Sequence, residues 1–276
     1  MRTIRSSANT DPILLKSSLL IKNSSQKDRD LYGDPIIFRT QDEWGDIMVI
    51  DRDNCRVLTF DPIYEQSSMD HTRPHLLVFE YTRAMMIVAA FTQPRHITLL
   101  GLGGGSLLRS LFHILPVCKF HVIELRQQVY ETAKKYFKLP SVKNIKVSIT
   151  DAMHALPYVK DSSTNIIFSD MYDAYVVNRF QMRLTFITES YRILSDPGWL
   201  VINYHEMPEV SSRYFQQLLD IFGSIFVCKT SAKQYILFAC TRRVDTIDIF
   251  KDAIKKLELI LQCSLIQFLD DYIKLK

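Results

Sequence analysis

Apolar and polar positions change their rhythm near residue 73. Before it, three short runs, IIFRT from Ile36, DIMVID from Asp46 and RVLTFD from Arg56, are rich in β-branched and aromatic residues. The stretches Glu43-Trp44-Gly45-Asp46 and Arg52-Asp53-Asn54 punctuate them. This predicts a small β unit over 35–73, built as a meander or a pair of hairpins. The third run continues into PIYEQSSM, which puts Gln66 just past a strand end. Beyond residue 73 the period becomes helical. Leu77, Tyr81, Ala84, Met85 and Val88 share one face of a helix expected from Pro74 to Phe91, stopped by Pro94. From there to residue 242, short apolar runs alternate with helical segments. Strands are expected at 97–100, 119–124, 145–149, 163–170, 199–205, 225–230 and 234–242. Helices are expected from Ser106, over Gln127–Phe137, Phe180–Leu194 and Ser211–Phe222, and through an amphipathic tail over Asp245–Lys276. Such alternation defines an α/β fold, a mostly parallel sheet with helices on both faces, over 74–276. Residues 1–34 lack a continuous apolar core and are expected to form a flexible or loosely docked N-terminal segment.

The candidate chemistry lies where strands end. Residues 96–109, HITLLGLGGGSLLR, read as buried strand, glycine turn and helix start. Gly101, Gly103, Gly104 and Gly105 allow positive φ and a close ligand approach, and a helix start offers free N–H groups. The next strand ends on Glu124, placed to bind the two hydroxyls of a ribose. The pattern departs from G-x-G-x-x-G and shows no pyrophosphate site, so an adenine nucleoside fits better than a dinucleotide. Asp151-Ala152 follow the third strand of the α/β unit. Asp170 and Asp173 follow the fourth, where two carboxylates would face a cationic ligand. Asp173 alternatively caps the following turn.

Composition adds exclusions. With 47% apolar and 23% charged residues the chain is an ordinary soluble protein. A net charge of +4 without a long basic run interleaved with aromatics gives no support for a nucleic-acid partner. The apolar runs fall short of a membrane span. The five dispersed cysteines form no C-x-x-C or metal spacing and suit reduced thiols in a cytoplasmic protein; no metal is expected.

The order of these features resembles the spermidine synthase family of polyamine aminopropyltransferases, built on the Rossmann-like class I S-adenosylmethionine methyltransferase fold of seven strands. The resemblance covers about residues 36–242 and rests on FDPIYEQSSM, LLGLGGGSLLR, VIEL, TDA and DMYD. It implies transfer of an aminopropyl group from decarboxylated S-adenosylmethionine to an amine such as putrescine, with release of 5′-methylthioadenosine. It further implies that Gly101, Gly103, Gly104 and Gly105 support the methionine-derived moiety, and that Glu124 binds the ribose. Asp151 and Ala152 then receive adenine, Gln66 reaches the nucleoside, Asp170 deprotonates the amine and Asp173 holds it. A homodimer is implied by analogy. The sequence also departs from the family. Its G-G-G-D-G-G loop has Gly104 at the acid's position, and Y-H-E becomes Phe79-Glu80-Tyr81. No proline-rich P-T-Y-P-like segment occurs near 226–236. Glu80 is either a displaced carboxylate or a helix-surface charge, and Tyr81, Tyr172, Tyr175 and Tyr204 are candidate pocket residues. A methyltransferase using intact S-adenosylmethionine, and a non-catalytic nucleoside-binding relative, stand as alternatives.

Overall fold

The computed structural model describes residues 29–61, 63–172, 179–270 and 272–276. Asp173, Tyr175 and most of the N-terminal segment lie outside them. Of that segment, residues 29–34 dock on the first sheet, where Asp30 and Asp34 both pair with Arg52.

The N-terminal unit is an antiparallel meander of β1 (Ile36–Asp42), β2 (Gly45–Arg52), β3 (Cys55–Thr59) and β4 (Glu65–Asp70). Gln66 therefore lies within a strand and not past its end: Asp61 Oδ1 accepts the N–H groups of Ile63 and Tyr64, making a turn that lets the chain pair again as β4. Ile47, Val49, Leu58 and Met69 form a core with Val129 and Phe137 of the neighbouring unit.

In that unit, α1 (Glu80–Met86) precedes β5 (His96–Leu100), α2 (Ser106–Ile114), β6 (Lys119–Glu124), α3 (Gln127–Tyr136), β7 (Ile145–Ile149), α4 (Ala152–Ala155) and β8 (Thr164–Ser169). Then come α5 (Leu184–Ile193), β9 (Leu194–Tyr204), α6 (Arg213–Ile221), β10 (Ser224–Lys229), β11 (Tyr235–Cys240), α7 (Lys251–Leu261) and β12 (Ile273–Lys274). The strand order is β12-β10-β11-β9-β8-β5-β6-β7, with β7, β6, β5, β8 and β9 parallel and β11 antiparallel. Successive residues of one strand feed opposite faces: Leu99 enters the core under α1, α2 and α7, and Leu100 the core under α4, α5 and α6.

Several boundaries differ from expectation, among them the start of β9, at Leu194 and not at 199. The first helix starts at Glu80 instead of Pro74, because Arg109 Nε and Ser110 Oγ of α2 donate to the carbonyls of Pro74 and His75. Those carbonyls are withdrawn from an i,i+4 ladder. α5 starts at Leu184 because Gln181 turns inward to Ser169 and Asn203, leaving 179–182 a 3-10 turn. The tail is not one helix. Gln262 takes φ +51°, and Glu258 accepts the N–H groups of Leu265 and Ile266, turning the chain back. Its last residues then pair with β10, so the sheet has eight strands instead of seven. Among the described residues no helix is long and apolar enough to cross a membrane.

Candidate functional site

A cavity of about 400 Å³ opens where β5, β6, β7 and β8 end, between the two sheets. Ligands of open α/β sheets bind at this edge. Its wall contains Gln66, Tyr81, Gly101, Gly103, Glu124, Asp151, Ala152, Asp170 and Tyr172. Gly104, Gly105 and Glu80 are not among the lining residues.

The glycine turn explains part of that division. Gly101 has φ +89°, and a Cβ there would stand 2.3 Å from the carbonyl oxygen of Asp170. Bare backbone is thus what lets β5 and β8 converge at the site. Gly104 packs against β4 and Phe137: a Cβ on it would meet Ser67 Oγ at 2.8 Å and Phe137 at 3.1 Å. Gly105 caps α2 with φ +74° and packs toward Leu139. Arg109, buried behind the turn, donates to the carbonyls of Gly104 and Phe137. With only neutral oxygens around it, burial lowers its pKa to about 9.

Glu124 is 6% exposed, and its carboxylate accepts N–H groups of Leu102 (2.9 Å) and Arg126 (2.8 Å). Burial pushes its pKa up, while these N–H groups act against the shift. Each oxygen retains a second acceptor position. Glu124→Gln puts an amide N–H₂ against one of those donors, so it is expected to destabilise the fold by about 1–3 kcal/mol. A fall in the urea midpoint checks this. Asp151 caps α4 by accepting from Met153 N at 2.8 Å.

At the β8 end, Asp170 accepts from Tyr81 Oη at 3.2 Å and Asn203 Nδ2 at 3.0 Å. Burial raises its pKa; the two donors and nearby His205 oppose the shift. Tyr172 Oη donates to the Asn203 carbonyl at 2.6 Å. Burial lifts the hydroxyls of Tyr81 and Tyr172 far above the usual phenol range, so both act as neutral donors. Glu80 instead accepts from Ser231 N and Oγ on the β10–β11 turn. Tyr204 is fully buried against Tyr214, a core residue and not a pocket one.

Sequence reasoning missed Asn203, Trp44, Phe60 and Arg126. A lone Asn inside the apolar run WLVINY was a readable signal for the first. Arg126 pairs with Asp42, donates to the Gly45 carbonyl and lies 4.4 Å from the Phe60 ring, tying the small sheet to the end of β6. Among the described residues no group of three or more His, Cys, Asp or Glu side chains could hold a metal.

This strand order, with the cavity at its carboxyl edge, is the class I methyltransferase arrangement. The domain pattern described as "Spermine/spermidine synthase domain" matches residues 78–255. A polyamine aminopropyltransferase of Neisseria meningitidis is 31% identical over 181 residues, 64% of this chain and 68% of that one. The chain belongs to the spermine/spermidine synthase family, and is on that ground a transferase. In fold it is similar to a probable spermidine synthase from Corynebacterium glutamicum (TM-score 0.71, 18% identity, 82% of this chain and 88% of that one). It is also similar to human methyltransferase-like protein 13 in complex with SAH (TM-score 0.59, 18% identity, 67% and 94%).

Proposed function

We propose that this protein is a spermidine synthase-like aminopropyltransferase that moves an aminopropyl group from decarboxylated S-adenosylmethionine to a polyamine such as putrescine, releasing 5′-methylthioadenosine. The observation that carries this reading is one cavity holding Asp170 at the end of β8 and Glu124 and Asp151 at the ends of β6 and β7. Adjacent strands are about 4.8 Å apart, so the row matches a nucleoside laid along the edge with its reactive end at Asp170.

The acceptor is protonated near neutral pH and has no lone pair to attack with. Asp170, buried beside Tyr81 and Asn203, orients the nitrogen and takes its proton. The freed lone pair forms the new C–N bond. The C–S bond of the sulfonium breaks, its electron pair stays on sulfur, and the thioether leaves. Burial raises the basicity of Asp170 toward that of the amine, which favours the transfer. Holding nitrogen, carbon and sulfur in line supplies much of the remaining acceleration. Gln66 reaches the nucleoside from β4, and Gly101 and Gly103 leave room for its tail. Asp173 holds the diamine's second nitrogen in this reading. A homodimer and a cytoplasmic setting belong to the same proposal, on family analogy; sedimentation of the purified protein checks the first.

The acceptor side is tested by incubating the enzyme and decarboxylated donor with a panel of amines, followed by mass spectrometry. The expected result is a diamine lengthened by one aminopropyl unit. Unaltered amines throughout, beside intact donor, would overturn the reading. One observation favours a second reading, methyl transfer from intact S-adenosylmethionine to an amine or small molecule. Position 104 carries no acid to hold a donor amine, and its Cβ direction is filled by Ser67.

A further inference from the structure

Trp44 belongs to no motif, yet its side chain lines the cavity while the residue stays 54% exposed. It stands in the turn between β1 and β2, where its N–H donates to Asp42 Oδ1 at 2.9 Å. An indole left half in solvent at a cavity mouth has a large apolar face still to cover. The turn that carries it is fixed. Arg126 donates to both carboxylate oxygens of Asp42 (3.0 and 2.8 Å) and to the Gly45 carbonyl (2.9 Å). The N–H of the same Arg126 donates to Glu124. The Trp44 turn is therefore tied to the end of β6. β7, which delivers Asp151 and Ala152, is the next strand outward, whereas Asp170 lies two strands inward on β8. Trp44 thus stands at the end of the cavity away from the reacting carboxylate.

We propose that Trp44 is a nucleoside-binding residue that stacks on the purine base of the donor and closes the base end of the cavity from the small sheet. This rests on the nucleoside reading of the site. Stacking on a base is indifferent to the group at the far end of the sugar. Trp44 therefore contributes to binding of the donor and of the nucleoside product, and not to binding of the amine. Trp44→Ala is expected to weaken 5′-methylthioadenosine binding roughly tenfold, with Trp44→Phe retaining most of the affinity. The loss falls on KM for the donor and leaves KM for the amine in place.

The chain has two tryptophans, and Trp199 is buried in the core beside Phe91 and Phe226. An emission change that wild type shows and Trp44→Phe lacks therefore reports on Trp44. The test titrates wild type, Trp44→Phe and Trp44→Ala with 5′-methylthioadenosine, following heat and emission together. The expected result is heat in all three, an emission change in wild type alone, and the tenfold loss in Trp44→Ala. Heat of binding with unchanged wild-type emission, and Trp44→Ala as tight as the parent, would overturn the role of Trp44 and leave the nucleoside site standing. Absence of heat in the wild type would overturn the nucleoside reading and this proposal with it.

Discussion

Asp170→Asn is expected to lower kcat by ~10²–10⁴ while changing the affinity for 5′-methylthioadenosine by less than about threefold. The amide keeps the shape of the carboxylate and can still bond to Asn203 and Tyr81, since the tyrosine hydroxyl accepts as well as donates. What it loses is the capacity to take a proton. Steady-state rates beside calorimetric titration separate the two effects. The pH dependence follows from the raised pKa of Asp170. The reactive form is the carboxylate, so activity falls on acidification through a pKa above the ordinary aspartate range. Tyr81→Phe removes a donor that favours the charged form, and is expected to move this acid limb to higher pH. The linkage sign is the reverse of a salt-bridged acid. The native state holds the proton more tightly than the unfolded chain, so ionising Asp170 costs stability as pH rises through that window. Asp170→Asn should accordingly melt no lower than the parent at neutral pH. A thermal scan that shows it several degrees lower would assign Asp170 a structural role instead.

The second large effect is expected at Gly101. Alanine there is strained by φ +89° and sets a Cβ 2.3 Å from the Asp170 carbonyl oxygen, which is backbone and cannot swing aside. The expected cost is about 3 kcal/mol or more, with Tm lowered by roughly 5–10 °C and nucleoside affinity lost as β5 and β8 are pushed apart. Gly33→Ala is the control. Its φ is also positive, +87°, but an added Cβ meets nothing within 4 Å. A small loss at residue 33 beside a large one at 101 assigns the effect to the strand crossing. Equal losses would reduce it to conformational strain.

Local pattern carried most of the α/β architecture, because most strands of the large sheet contain a short apolar run; β12, two exposed residues at the tail, does not. The glycine turn was legible as a turn, and Glu124, Asp151 and Asp170 as strand-end acids. What escaped depends on a partner distant in sequence. That Gly104 faces Ser67 and Phe137 depends on how β4 packs against the loop. The late start of α1 follows from Arg109 and Ser110 taking two carbonyls, and the tail's turn from Glu258. Glu80 sits on a helix whose spacing is compatible with a site or with solvent, and only the position of Ser231 decides between them. Trp44 read as a turn residue because nothing local tied it to Glu124; Arg126 makes that link.

Aminopropyl transfer and methyl transfer differ in the nucleoside that leaves. The purified protein is incubated with putrescine and an equimolar mixture of decarboxylated and intact S-adenosylmethionine, and the nucleosides are resolved by chromatography. Amine-dependent release of 5′-methylthioadenosine above a no-enzyme control is expected, slowed by ~10²–10⁴ in Asp170→Asn. Release of S-adenosylhomocysteine in its place would contradict aminopropyl transfer and establish methyl transfer on this scaffold.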